Sequence, residues 1–166
     1  MRLFPLLGFA ALFLMSCAAP LKQPIMPVAN EATFIESYSP AEVTIRATGV
    51  GVGENNSVGA EQDLKRTAVQ FVLLMGSDPL ISTPEERMRF QNIQEMFYEN
   101  VDKYITWSAS EVTSQSRTTW NGHPALKRTK AVRIHRENLR RDLTERGVLV
   151  ARAELEEAQG NPVIMV

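Results

Sequence analysis

The hydrophobic period of this chain changes once, sharply, between residues 43 and 75, and that change limits the folds open to it. Val43, Ile45 and Ala47 alternate with Thr44, Arg46 and Thr48, the period of two that gives a strand one buried face. Further on, Ala60, Leu64, Ala68, Phe71, Val72 and Met75 recur at spacings of three and four, which is one apolar stripe of a helix. A one-faced strand followed by a one-striped helix buries both surfaces when the helix lies on a sheet. The expected fold class is therefore α+β, a long helix packed on a small antiparallel sheet. Gly49-Val50-Gly51-Val52-Gly53 continues or ends the strand. Asn56 or Ser57 caps the helix, and Glu61 and Asp63 near its start suit the helix dipole. Gly76 ends it, and Asp78-Pro79 forbids continuation.

A second helix is expected from Pro84 to about Lys103, with Phe90, Ile93, Phe97 and Val101 as its buried stripe. Alternation returns at Tyr104 to Ala109, and the polar run through Arg117-Thr118-Thr119 extends it into one long, partly exposed strand. Asn121-Gly122 is the strongest short hairpin signal. Its partner strand, Ala125 to His135, buries Leu126, Val132 and Ile134. It exposes Lys127, Thr129, Ala131 and Arg133, which demands one irregularity near Arg128 or Lys130. A third helix around Glu137 to Arg146 turns Leu139 and Leu143 inward, and Gly147 closes it. Ala151 to Gln159 reads as a short helix stopped by Gly160-Asn161-Pro162. Val163-Ile164-Met165-Val166 then has two readings. Either it is a buried strand opening a second α/β domain, with the chain truncated there, or it adds to the edge of the existing sheet.

The only cysteine, Cys17, closes a leader that begins with Arg2 and runs apolar from Leu3 to Leu14, interrupted by Pro5 and Gly8. Such a segment rises about 18 Å as a helix, short of a hydrocarbon core of about 30 Å, so a secretory signal peptide fits better than a span. Leu14-Met15-Ser16-Cys17 resembles the lipobox of bacterial lipoproteins, in which the cysteine is acylated, with palmitate among the chains, and becomes the new N-terminus. Cleavage after Ala19, discarding Cys17, is the alternative. Ala18 follows the cysteine where aspartate would favour the inner membrane, so the resemblance implies an outer-membrane lipoprotein anchored on the periplasmic face. Pro20, Pro24, Pro27 and Pro40 suggest an extended tether able to reach roughly 70 Å. The expected organisation is a signal peptide over residues 1–16, a Pro-rich tether over 17–40, an α+β domain over 41–150, and a helix and strand over 151–166 that start a further domain on one of the two readings.

Chemistry-bearing patterns are few. Gly49-x-Gly51-x-Gly53 sits between a strand and a helix, but a dinucleotide fingerprint needs glycine at the sixth position, where this chain has Glu54. Crowding relief at the strand is the better reading. With one cysteine and two histidines, neither a disulfide nor a metal site is expected, and no cofactor is implied. His123 beside the hairpin turn and His135 at a strand end read as solvent-facing, and no nucleophile elbow or carboxylate pair points to an enzyme. The segment from Lys127 to Arg146 is basic on a chain of net charge −1. Its Lys127, Lys130, Arg133, Arg136 and Arg140, with Trp120 by the turn, are the candidate partner-binding residues; a merely solvated basic face is the alternative. Trp107 shares parity with Ile105 and Ala109 and is expected in the core. Nucleic acid is not an expected partner across an export barrier.

A strand Val43 to Gly49 ending in glycine, a helix Ala60 to Gly76, and strands Tyr104 to Arg117 and Leu126 to Ile134 together resemble the N-terminal domain of flagellar assembly protein T and related small outer-membrane lipoproteins. The likeness spans about Glu42 to Leu149; the charged helix Pro84 to Lys103 departs from it. The closing Asn-Pro-Val-Ile-Met-Val resembles the first strand of the TolB-like α/β domain that follows in this group. The resemblance implies a protein-interaction or assembly module of the bacterial cell envelope, of flagellar or secretion type, and not an enzyme. A peptidoglycan- or glycan-associated binding lipoprotein is the alternative.

Overall fold

The computed structural model describes residues 21–53 and 55–149. Two long strands form its centre: β2 (Glu42–Val52) and β5 (His123–His135). They pair antiparallel in unbroken register from Glu42 opposite His135 to Val52 opposite Ala125. β1 (Ala32–Ser39) pairs with the other edge of β2, while β3 (Ile105–Ser108) and β4 (Ser114–Trp120) both pair with the far edge of β5. The result is a five-stranded antiparallel sheet. Helices α1 (Ser57–Gln70), α2 (Pro84–Gln91), α3 (Gln94–Glu99) and α4 (Arg136–Glu145) complete the fold. It is α+β, with α1 packed on the sheet. Leu64, Ala68, Phe90, Phe97, Leu139 and Leu143 share one core with Val43, Ile45, Ala47, Val132 and Ile134. The helices thus gather on the face defined by those odd positions of β2.

The Gly-x-Gly-x-Gly run lets α1 lie directly on β2. A Cβ added at Gly49 would fall 2.1 Å from the Ala60 carbonyl oxygen, and one at Gly51 would fall 1.9 Å from that of Asn56. Asn56 joins the two elements: its Oδ1 accepts from the Gly59 amide at 2.7 Å, and its Nδ2 donates to the Val52 carbonyl at 2.7 Å. The side chain therefore caps the helix and fixes the strand end together.

Asp63 has a different role from the dipole partner expected. It is fully buried and accepts backbone amides from Val28 (2.8 Å), Ala29 (3.3 Å) and Val50 (2.7 Å). Pairing of β1 with β2 ends at Ala47, which leaves the donors of the β2 edge unpaired beyond it. The Thr48 amide donates to the Glu31 carbonyl, Val50 to Asp63, and Val52 to Gln23 Oε1. Each orphan donor is satisfied in turn. The expected tether over 17–40 is corrected accordingly. Residues 32–39 are a sheet strand, residues 23–31 line the β2 edge, and the Pro24 carbonyl accepts from Arg66 at 2.6 Å. Two register shifts break the alternation of β1 and most of it is exposed, so its residues carry no regular period of two.

Other boundaries also moved. Helix α1 passes into a π-helical turn over Phe71–Met75, which leaves Phe71 half-buried and Met75 44% exposed, off the stripe. The second expected helix breaks where Ile93 leaves helical geometry (φ −119°, ψ −1°). Its parts are α2, capped by the reciprocal Thr83–Glu86 box, α3, and a 3₁₀ turn over Val101–Tyr104. The long strand before the hairpin is interrupted between β3 and β4, yet the Ala109 and Thr113 amides still donate to the Ala131 and Thr129 carbonyls. Asn121 (φ 48°) and Gly122 (φ 79°) make the expected tight turn, and Gly147 (φ 69°) closes α4. His135 is a cap: its Nδ1 accepts from the Asn138 amide at 3.1 Å. The expected helix and strand over 151–166 lie outside the described residues, as do residues 1–20.

Three substitutions test this scheme by thermal unfolding. Asp63→Ala strands three amides and should cost about 3 kcal/mol or more. Gly49→Ala drives a methyl into helix backbone and should cost about as much. Gly53→Ala, whose Cβ meets nothing within 4 Å but whose φ is +93°, should cost only about 1 kcal/mol. An equal loss at Gly49 and Gly53 would show that the strand–helix approach is not what the glycines serve.

Candidate functional site

Strand pleating divides the basic segment between two faces. Arg128 and Lys130 share parity with Val132 and Ile134 and point toward α1. There Glu61 receives Lys130 Nζ at 3.0 and 3.1 Å, Ser108 Oγ at 3.2 Å and Arg128 at 3.9 Å. Glu61 therefore ties α1 to β5 and β3, and no strand irregularity is needed near Arg128 or Lys130. Lys127 lies on the opposite face and pairs with Glu31 at 2.7 Å. Arg136, at the start of α4, is held by the carboxylate and carbonyl of Asp78. Arg140 is exposed on α4. Trp120 is half-buried opposite His123, about 30 Å along β5 from Arg133 at strand rise. The six candidates do not form one site, and Lys127, Lys130 and Arg136 are neutralised within the fold. Cys17 lies outside the described residues.

Arg133 is where charge and aromatic surface meet. Its guanidinium carbon sits 3.4 Å from the Tyr38 ring centroid and 5.4 Å from that of Trp107. Tyr38 comes from β1 and Trp107 from β3, so rings from strands on either side of β5 converge on it. A register shift between Ile105 and Trp107 sets the latter opposite Arg133 instead of in the core. Trp107 is consequently 44% exposed and Tyr38 58%, contrary to the parity expected for Trp107. Arg133 makes no side-chain hydrogen bond or ion pair among the described residues, and its Nε is buried without a partner. Thr44, directly opposite on β2, carries a second buried and unpartnered atom, Oγ1. Arg46 is a diagonal neighbour on the same face, exposed and without an ion pair among the described residues.

This arrangement supports recognition of an anion. Stacking against a ring fixes the guanidinium plane and leaves its in-plane N–H groups as donors. A fixed fork of donors suits a carboxylate bound bidentately. Among the described residues no group of His, Cys, Asp and Glu is placed to hold a metal ion. Tyr38 and Trp107 could not be assigned here by alternation alone, because both lie beside register shifts.

A second polar cluster joins α4 to the 3₁₀ turn. Asp142 accepts from Tyr104 Oη, from Lys103 Nζ at 2.9 Å and from Arg146 Nε at 3.2 Å. Burial acts to raise the Asp142 carboxyl, but these donors outweigh it and hold the group below the usual carboxylate range. Burial first, then the bond to Asp142, pushes the Tyr104 phenol well up. A carboxyl lowered by folding stabilises the folded state above its unfolded pKa of about 4 and loses that contribution as pH falls through the folded value. The melting-temperature gap between the parent and Asp142→Asn should therefore be widest near pH 7 and close progressively below pH 4. A gap that widens on acidification would contradict this assignment.

Comparison of the chain with protein-family models, with curated proteins and with solved structures finds no match.

Proposed function

We propose that this chain is a lipid-anchored binding module of the bacterial cell envelope, an interaction or assembly protein and not an enzyme, displayed on the periplasmic face of the outer membrane. The observation that carries this reading is the division of the sheet. Its helices gather on one face, and the other presents Arg133 between Tyr38 and Trp107, a geometry suited to holding a partner. The leader ending at Cys17, and the resemblance to the N-terminal domain of flagellar assembly protein T, support the location and the class of role. With residues 23–39 engaged in the fold, the spacer between anchor and domain is shorter than a tether reaching to Pro40, so the domain acts close to the membrane.

Exposed Tyr38 and Trp107 favour one second reading, a peptidoglycan- or glycan-associated lipoprotein. Fatty-acid labelling and membrane fractionation test the anchor: the parent should incorporate label and float with outer membrane. Cys17→Ala, or globomycin treatment, should leave a larger unprocessed species. Normal processing of Cys17→Ala would sink the lipoprotein assignment. Co-sedimentation of the purified protein with isolated sacculi separates the two readings, since an assembly module stays in the supernatant.

A further inference from the structure

Three features could carry more than the reading above. The first is a groove of about 220 Å³ between Phe34, Ile45, Phe71 and Val72, closed by Arg136. Its one cation is already held by Asp78, so nothing there selects a ligand. The second, Asp142 with Tyr104, Lys103 and Arg146, is balanced within itself. The third is the cluster around Arg133, and it is not balanced.

We infer that the open sheet face around Arg133 is a docking site for a carboxylate on an acidic segment of a partner protein. This deepens the binding-module reading and rests on it. Three observations converge. The guanidinium is oriented by Tyr38 at 3.4 Å, with the Trp107 ring at 5.4 Å, so little orientation entropy remains to be lost on binding. Its donors meet no protein acceptor among the described residues, and its buried Nε and the Oγ1 of Thr44, directly opposite on β2, have no partner. Arg46 adds a second unpaired guanidinium on the diagonal, within reach of the same acidic segment. Of the carboxylates that share the face, Glu31 is held by Lys127, and Glu36 and Glu42 form no ion pair with either arginine among the described residues. Both guanidiniums are therefore unsatisfied among the described residues and complementary to acidic side chains.

The same geometry narrows the ring surface on which a sugar could stack. Sugar stacking uses an open aromatic face, whereas Arg133 lies over the Tyr38 and Trp107 rings. What the cluster offers outward is a fork of N–H donors bordered by aromatic rings. Thr48 and Thr129, hydroxyls bonded at 2.9 Å, continue a polar floor along the strands on which an extended segment can lie.

The test uses the full chain in detergent micelles, in a Trp120→Phe background so that Trp107 alone reports by fluorescence. The probe is a synthetic peptide of alternating glutamate and serine; its glutamine counterpart and soluble peptidoglycan fragments are the comparisons. The glutamate peptide should give a saturable change that weakens as salt rises from about 0.05 to 0.5 M. Arg133→Gln should weaken it about ten-fold, the value of one or two charge-assisted hydrogen bonds. Arg133→Lys should also weaken it, because lysine keeps the charge but lacks the fork. Arg140→Gln, on α4, should leave it within about two-fold. Exposed Arg46→Gln, which leaves the clamp in place, should weaken the peptide several-fold and keeps the test decisive if Arg133 variants unfold. Equal binding by Arg133→Gln and the parent would overturn the inference. So would equal binding of the glutamine peptide, or saturable binding of the glycan fragments alone. Because the assay measures binding in micelles, its failure leaves the Cys17 anchoring test standing on its own.

Discussion

Three backbone amides converge on one carboxylate at Asp63, and most of the architecture depends on that convergence. The residue belongs to α1, yet the groups it holds come from β2 (Val50) and from the segment leading into β1 (Val28 and Ala29). One side chain thus joins helix, central strand and N-terminal segment at a point without water access. Burial raises its pKa, and the amides of Val50, Val28 and Ala29 act against that rise. The contact is available only because glycines at 49 and 51 let α1 descend onto the strand. A helix held off by side chains would carry Asp63 out of reach of Val50.

The same close packing determines where charge goes. With α1 against the odd positions of β2, Glu61 faces the sheet and collects Lys130, Arg128 and Ser108. Cations adjacent in sequence are thereby separated by function. Those of inner parity hold the helix, Lys127 holds Glu31, and Arg133 is left to the aromatic rings. Exposed pairs such as Lys127–Glu31 contribute little to stability. A basic run in a strand is thus no basic surface until parity has been applied.

Much of this was legible in the residues, and the failures share a cause. The alternation of Val43, Ile45 and Ala47, the Asn56 cap, the stripe through Leu64 and Ala68, the Asn121-Gly122 turn and the Leu139–Leu143 helix all follow local rules, and all are present. Where a chain irregularity intervenes, local rules break. Periodicity assigns Trp107 to the core, and the shift after Ile105 turns it out. Phe71 sits on the helical stripe until the π-turn rotates the following residues. β1 carries four prolines' worth of tether signal around it, and only long-range pairing with β2 makes it a strand. At the candidate site, Arg133 was visible as a cation, but its neighbours Tyr38 and Trp107 come from segments far apart in sequence. No spacing rule connects them.

The register shifts in β1 have a consequence for how this protein survives at high local concentration. Among the described residues β1 is a sheet edge carrying Phe34, Ile35 and Tyr38 in exposed positions, a composition that invites another chain to add a strand. Breaks at Phe34/Glu36 and Ser37/Ser39 interrupt the regular spacing of its hydrogen-bonding groups. A second copy laid alongside would find only short stretches in phase, with Glu36 between them. At high concentration such molecules would meet edge to edge often, and the bulges deny each encounter the continuous ladder from which a fibril grows.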